Sequence, residues 1–133
     1  MKKYIFLAGP MRGVPREQSL GYREEATRLL EENFRVLHAM RGRELKETMP
    51  DPKGAVIRDK MDIDQADIVL VNDSYTNVSN IGTAMEIMYS WERGKAVIIF
   101  GEEHLHDYWM NFHSHLRFKN LEEACHFINK MFK

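Results

Sequence analysis

Two acids, Glu86 and Asp59, and one cation, Arg12, stand where side chains could do chemistry on a bound molecule. Glu86 closes the run Gly82-Thr83-Ala84-Met85-Glu86, which follows the apolar run Asp67-Ile68-Val69-Leu70-Val71 and a polar loop over residues 72–80. The run opens a helix predicted over residues 83–92, which ends at Arg93-Gly94-Lys95 before a second buried strand, Ala96-Val97-Ile98-Ile99-Phe100. A carboxylate is thereby delivered to a first helical turn beside the carboxyl end of a central strand, where open α/β sheets bind ligands. There it can serve as a nucleophile or a general base, and Gly82 leaves the backbone open to close approach. The competing reading is an acid that only stabilises the helix dipole, worth about 0.3–1 kcal/mol. One pKa unit is about 1.4 kcal/mol, so the dipole does not offset serious burial. A buried Glu86 needs hydrogen bonds from Thr83 or the preceding loop to stay ionised.

Asp59 lies in a second helix, predicted over residues 55–65, on the face shared by Val56 and Ile63. A carboxylate on an apolar stripe is paired or functional, because burying it alone is costly; the alternative is a helix-edge acid paired with an arginine. Asp62 and Asp64 read as solvated charges, and Asp67 as a strand-entry residue. Arg12 sits in a Gly-flanked turn, where a guanidinium and exposed N–H groups suit a carboxylate or phosphate; the alternative is a surface arginine paired with an acid such as Glu17. His104, His106, His113 and His115 have no accompanying cysteine and match no common zinc spacing, so neither metal nor cofactor is expected. Cys125 reads as core. P-loop, dinucleotide-binding Gly-x-Gly-x-x-Gly and Gly-x-Ser-x-Gly motifs are absent.

The elements that position these residues alternate. A buried strand over residues 4–8 runs into the loop Gly9-Pro10-Met11-Arg12-Gly13-Val14-Pro15. A helix is predicted over residues 18–32, with Leu20, Ala26, Leu29 and Leu30 inward, then a short strand over 35–38. Residues 39–53 read as a polar loop over one face. The helix over 83–92 is expected to turn Ala84, Ile87, Met88 and Trp91 inward. An aromatic, His-rich segment, residues 101–119, precedes a last helix capped by Asn120, with Leu121, Cys125, Ile128 and Phe132 as its core stripe. This alternation predicts an α/β, flavodoxin-like (Rossmann-like) parallel sheet in three layers, strand order 2-1-3-4 with room for a fifth. The Gly9 to Pro15 loop then faces the Asp73 to Gly82 loop across the switch point.

The 133 residues are enough for one domain with a real core. With a net charge of −1 and no basic run, nothing marks a nucleic-acid or membrane surface. The N-terminal apolar stretch is short and runs into Pro10-Met11-Arg12, so it reads as a strand rather than a signal peptide. A single cysteine permits no intramolecular disulfide, and a soluble cytoplasmic protein is the default expectation.

The sequence resembles the nucleoside 2-deoxyribosyltransferase family from residue 4 to about residue 100. The resemblance is carried by Phe6-Leu7-Ala8-Gly9-Pro10-Met11, by Arg58-Asp59 ahead of Ala66-Asp67-Ile68-Val69, and by Gly82-Thr83-Ala84-Met85-Glu86 followed by Gly94-Lys95-Ala96-Val97. It implies cleavage of the N-glycosidic bond of 2′-deoxynucleosides, or of nucleoside 5′-monophosphates in the related hydrolases. Glu86 would be the nucleophile, forming a covalent glycosyl-enzyme. Asp59 would handle the departing base, as the second group does in a retaining glycosidase. The substrate would meet the loop residues Gly9, Pro10, Met11, Arg12 and Gly13 on one side and Asn80 and Gly82 on the other.

Three positions depart from the family pattern. Phe6 stands where the family often has a tyrosine whose hydroxyl orients the nucleophile. Asn80 stands where an aspartate or a serine often helps bind sugar or phosphate. Arg12-Gly13 resembles the phosphate-binding turn of the monophosphate hydrolases more than the transferase loop. The family's C-terminal loop often reaches a neighbouring subunit's site, and the segment at Met110-Asn111 is its counterpart here, which implies a homo-oligomer. The competing functional class is a non-catalytic nucleotide-binding or sensing module on the same fold; a flavin-binding or receiver domain is a third, disfavoured by the lack of a Ser/Thr-rich phosphate loop after the first strand.

Overall fold

The computed structural model describes residues 1–43 and 51–133. In chain order the elements are β1 (Lys3–Ala8), α1 (Arg16–Leu30), β2 (Phe34–His38), α2 (Pro52–Gln65), β3 (Ile68–Asn72), α3 (Ile81–Glu92), β4 (Ala96–Phe100), α4 (Tyr108–Phe112), β5 (Leu116–Phe118) and α5 (Leu121–Met131). The strands form one parallel sheet in the order β2-β1-β3-β4-β5, with Ile5 opposite Val36 on one side and Ile68 on the other. The fold is flavodoxin-like, and the fifth strand lies within the His-rich segment.

Period-two alternation along the strands divides the core. Ile5, Leu7, Leu70 and Ile98 face α1 and α5, meeting Ala26, Leu30, Ala124 and Ile128. Phe6, Ala8, Val69, Val71 and Ile99 face α2 and α3, meeting Ile63 and Ile87. The central strands are covered on both faces, which is why they read as unbroken apolar runs.

Helix ends follow their capping chemistry. Asp51 accepts hydrogen bonds from Lys53 N at 2.9 Å and Gly54 N at 3.3 Å, and Pro52 occupies the first helical position, so α2 starts earlier than residue 55. Asn120 caps α5 by accepting from Glu123 N at 2.9 Å. Residues 44–50 of the expected polar loop lie outside the described residues.

Several helix faces differ from the sequence reading. In α3 the buried residues are Thr83, Ile87 and Ser90, while Ala84 and Met88 are exposed. This helix carries apolar residues all round, so hydrophobicity alone does not choose its inner face. In α1 the buried row is Ser19, Arg23, Ala26 and Leu30, with Leu20 only partly covered. In α2 Val56 is 55% exposed, and the buried residues are Asp62 and Ile63. The apolar stripe expected beneath Asp59 therefore does not exist. Asp62 is not a solvated charge: it pairs with Arg41 at 2.7 Å.

Candidate active site

The sheet order reverses between β1 and β3, so the loops leaving them diverge and open a crevice at their carboxyl ends. A cleft of about 280 Å³ occupies it. One wall is the loop after β1, through Gly9, Pro10, Met11 and Arg12; the other is the start of α3, through Ile81, Gly82, Thr83 and Glu86. Asp59 enters from α2 and Arg23 from α1.

Sterics shape both walls. A Cβ on Gly9 would lie 2.3 Å from the Tyr22 hydroxyl and 3.0 Å from Asn72 Cβ, so any larger residue would have to displace Tyr22. Gly13 has φ +85°, which also favours glycine, but it does not line the cleft. A Cβ on Gly82 would meet no protein atom within 4 Å, so its absence widens the cleft mouth.

Because α3 begins at Ile81, Glu86 falls in its second turn rather than its first. The helix dipole therefore contributes little to its charge state. Its hydrogen-bond partner is neither Thr83 nor the preceding loop but the Asp59 carboxyl. The Thr83 hydroxyl is buried and has no hydrogen-bond partner among the described residues. Burial and the neighbouring Asp59 charge push Glu86 up to about 8, against the opposing pull of Arg23. Burial also raises Asp59, opposed by the Arg58 and Arg23 cations and by its bond to Glu86, while Asp62 pushes the same way as burial. Two such groups titrate as a unit. Glu86 therefore holds its proton into the neutral range, and neither carboxyl is neutralised by a direct salt bridge among the described residues.

Arg12 is exposed at the cleft and makes no ion pair or hydrogen bond among the described residues, with Glu17 or any other acid. Phe6 is fully buried beneath the site and does not line it. Asn80 precedes α3 with its side chain turned to Val78 O at 3.2 Å, outside the lining. Met110 is buried against the α3 side of the sheet. Asn111 donates to Leu105 O at 2.8 Å, away from the cleft of its own chain. The four histidines do not cluster: His104 pairs with Asp73 at 2.6 Å, and His113 and His115 pack against Trp91. Among the described residues no group of three or more His, Cys, Asp or Glu is placed to hold a metal. No helix there is long and apolar enough to cross a membrane.

Arg23 is the charged lining residue that the sequence reading missed, along with the uncharged Ala39, Ser79 and Ile81. Its spacing with Ser19, Ala26 and Leu30 places it on the inward row of α1, and an arginine on an inward row is itself a signal.

The fold matches solved structures of low sequence identity. A 2-deoxyribosyltransferase from Bacillus psychrosaccharolyticus superposes with a TM-score of 0.72 at 20% identity, covering 90% of this chain and 88% of that one. The Clostridium botulinum CMP N-glycosidase BcmB gives 0.65 at 19% identity, over 96% and 99% of the two chains. A 2-desoxiribosyltransferase from Leishmania mexicana gives 0.70 at 16%, over 98% and 99%. Comparison of the sequence with curated proteins finds no match. Residues 2–99 match the family described as a domain of unknown function, DUF4406. The match spans well over half of the chain, which therefore belongs to the DUF4406 family with the fold of the 2-deoxyribosyltransferases.

Proposed function

We propose that this protein cleaves the N-glycosidic bond of a 2′-deoxynucleoside or its 5′-monophosphate through a covalent glycosyl-enzyme on Glu86. The observation that carries the reading is the hydrogen-bonded Asp59–Glu86 pair in an open cleft at the switch point. One shared proton serves both halves of such a reaction. Moving it from Glu86 to Asp59 makes a carboxylate nucleophile and a carboxylic acid in one step. The Glu86 oxygen bonds to the anomeric carbon as the C1′–N bond breaks, and its electron pair leaves with the base. Asp59 gives the base its proton. In the second half a water or another base attacks the anomeric carbon, Asp59 takes up the proton, and Glu86 is released as carboxylate.

Arg12 supports a preference for the monophosphate, since a guanidinium at the cleft without an internal acid is available to a dianion. A homo-oligomer is part of the same reading. Trp109 is 72% and Phe112 71% exposed on α4, with Met85 and Met88 exposed on neighbouring α3. Covering such a face with a second copy would carry Asn111 toward a partner. A sedimenting species of monomer mass would remove this part.

The second reading, a nucleotide-binding module without catalysis, draws on Phe6, which offers no hydroxyl to orient Glu86. Incubating the protein with a panel of deoxynucleosides and 5′-monophosphates, with and without an acceptor base, separates the two. Chromatography should show free base, or the exchanged nucleoside, from at least one substrate. Binding without released base for every substrate favours the module.

A further inference from the structure

Helix α1 packs on the sheet face opposite α3, yet its Arg23 reaches the cleft over the end of β1. The side chain is 1% exposed and held at several points. Nη1 donates to the Ser19 carbonyl and hydroxyl oxygens, both at 2.8 Å, and Nη2 donates to the Gly9 carbonyl at 3.1 Å. The guanidinium lies over the Tyr22 ring, 4.5 Å from its centroid. Each of these partners is neutral. Nε is buried with no hydrogen-bond partner among the described residues. A cation buried this completely is costly unless negative charge lies near it. The acids that share its cleft are Asp59 and Glu86.

We propose that Arg23 is a positioning residue, a rigid cation shielded from solvent that steadies the negative charge of the Asp59–Glu86 pair. The task suits this chain, whose Phe6 has no hydroxyl to offer the nucleophile. Charged and titratable groups on the neighbouring elements surround the pair and Arg23. Arg58 and Asp62 act on Asp59 along its own helix, Asp59 and Glu86 act on each other, and the Tyr22 hydroxyl on α1 feels Glu86. Arg43, after β2, feels both Asp59 and Arg23; Tyr75, after β3, feels Arg23; and Arg12 lines the same cleft. Arg23 differs from the other arginines around the site in acting on both carboxyls at once.

Its kinetic consequence rests on the proposed glycosyl transfer; its electrostatic consequence does not. Side-chain carboxyl ¹³C titration by NMR reads the latter directly, in wild type, Arg23→Met and Arg23→Lys. In Arg23→Met both apparent pKa values of the pair should rise by about one unit, a tenfold gain in proton affinity. Arg23→Lys should move them less. A folded Arg23→Met whose pair titrates as in wild type overturns the proposal. Should that variant not fold, the wild-type Arg23 Nε–H resonance decides: it should move with the midpoints of the pair, and an Nε–H signal that ignores them overturns the idea. If the enzyme turns over, the whole pH profile of kcat/KM should move alkaline in Arg23→Met, with KM changed less than kcat. A merely structural arginine would lower the amplitude and leave the midpoints in place. A wild type that releases no base defeats the glycosidic reading and leaves the titration to judge Arg23 alone.

Discussion

Two sets of acids lie at or near the carboxyl edge of this sheet, and they are built in opposite ways. At the ends of β3 and β4, Asp73 is fully buried and saturated with donors. Arg117 Nη1 reaches it at 2.8 Å, His104 Nδ1 at 2.6 Å and the His104 backbone N–H at 2.9 Å. Arg117 also donates to the Gly101 carbonyl at 2.6 Å, and a side chain at Gly101 would strike the Asp73 carbonyl oxygen at 2.4 Å. That cluster is a brace, because every charge is spent on holding the β3, β4 and α4 connections together. At the switch point between β1 and β3, Asp59 and Glu86 bond to each other instead, and Arg23 acts on them without a direct bond. Like charges placed together keep a proton that a braced carboxylate would lose. On the proposed function, the same chemical group is structural in one place and reactive in the other because of how many donors it has been given.

The largest effect should come from breaking the reactive pair. Glu86→Ala should reduce turnover roughly 10³-fold or more while the fold persists, since the proposed nucleophile is removed. Asp59→Asn keeps the shape and the hydrogen bond but takes away the shared acid. It should cost about 10²–10⁴-fold, most for substrates with poor leaving bases. Steady-state rates of base release check both, and near-wild-type rates in Glu86→Ala end the assignment.

The brace should answer in stability rather than rate. Asp73→Asn leaves the partly buried Arg117 without its full counter-charge, and removing one partner of a pair whose acid is buried costs up to about 3–5 kcal/mol. Urea unfolding should show that loss, with kcat per folded molecule close to wild type. If Asp73→Asn instead lost activity at unchanged stability, the division between the two regions would be wrong.

Much of the fold was legible in the sequence, but the Asp73–Arg117–His104 brace was not. The buried strands read as apolar runs, their alternation with helices pointed to a parallel sheet, and the flavodoxin-like order expected of it is the one found. Glu86 came from its place after β3 and the family resemblance, whereas Asp59 rested on the resemblance alone, since the apolar stripe that spacing put beneath it is absent. What stayed hidden depended on which side of a helix turns inward. Asp62 and Asp59 sit three residues apart on α2, and only the arrival of Arg41 from the loop after β2 makes Asp62 the buried member. The apolar residues of α3 wrap its whole circumference, so Thr83 and Ser90 could not be told from Ala84 and Met88 as the inward ones. Arg23 escaped notice because a long polar side chain on an amphipathic helix is read by default as exposed, although its row is the buried one.

Arg12 sharpens the comparison in a third way, as a cation reserved for neither a brace nor the pair. A hydrogen bond to a charged group is worth about 1.5–3 kcal/mol, or about one to two decades in affinity. Arg12→Ala should therefore weaken 5′-monophosphate binding by roughly 10–100-fold and nucleoside binding little, as isothermal titration would show. Equal losses for both ligands would return the protein to the nucleoside-specific branch.

The smallest effect is the one whose sign separates the two regions most cleanly. Glu86 is raised from an ordinary value near 4.5 to about 8. Between those limits the folded protein binds more protons than the unfolded chain, so this group makes stability fall as pH rises through the window. Gln at position 86 keeps the shape, can donate to an ionised Asp59 and never carries the charge. Glu86→Gln should thus match wild type below the ordinary carboxyl range and exceed it on the alkaline side by roughly 1–3 kcal/mol, about 3–10 °C in Tm. Asp73→Asn has the opposite sign, since there the charge is what the surrounding donors require. Thermal melts of wild type and Glu86→Gln, run from acid to mildly alkaline pH, make the check. Parallel curves would mean that Glu86 titrates as an ordinary exposed acid, and the one-proton pair would have to be abandoned together with the bell-shaped pH–rate profile that it predicts.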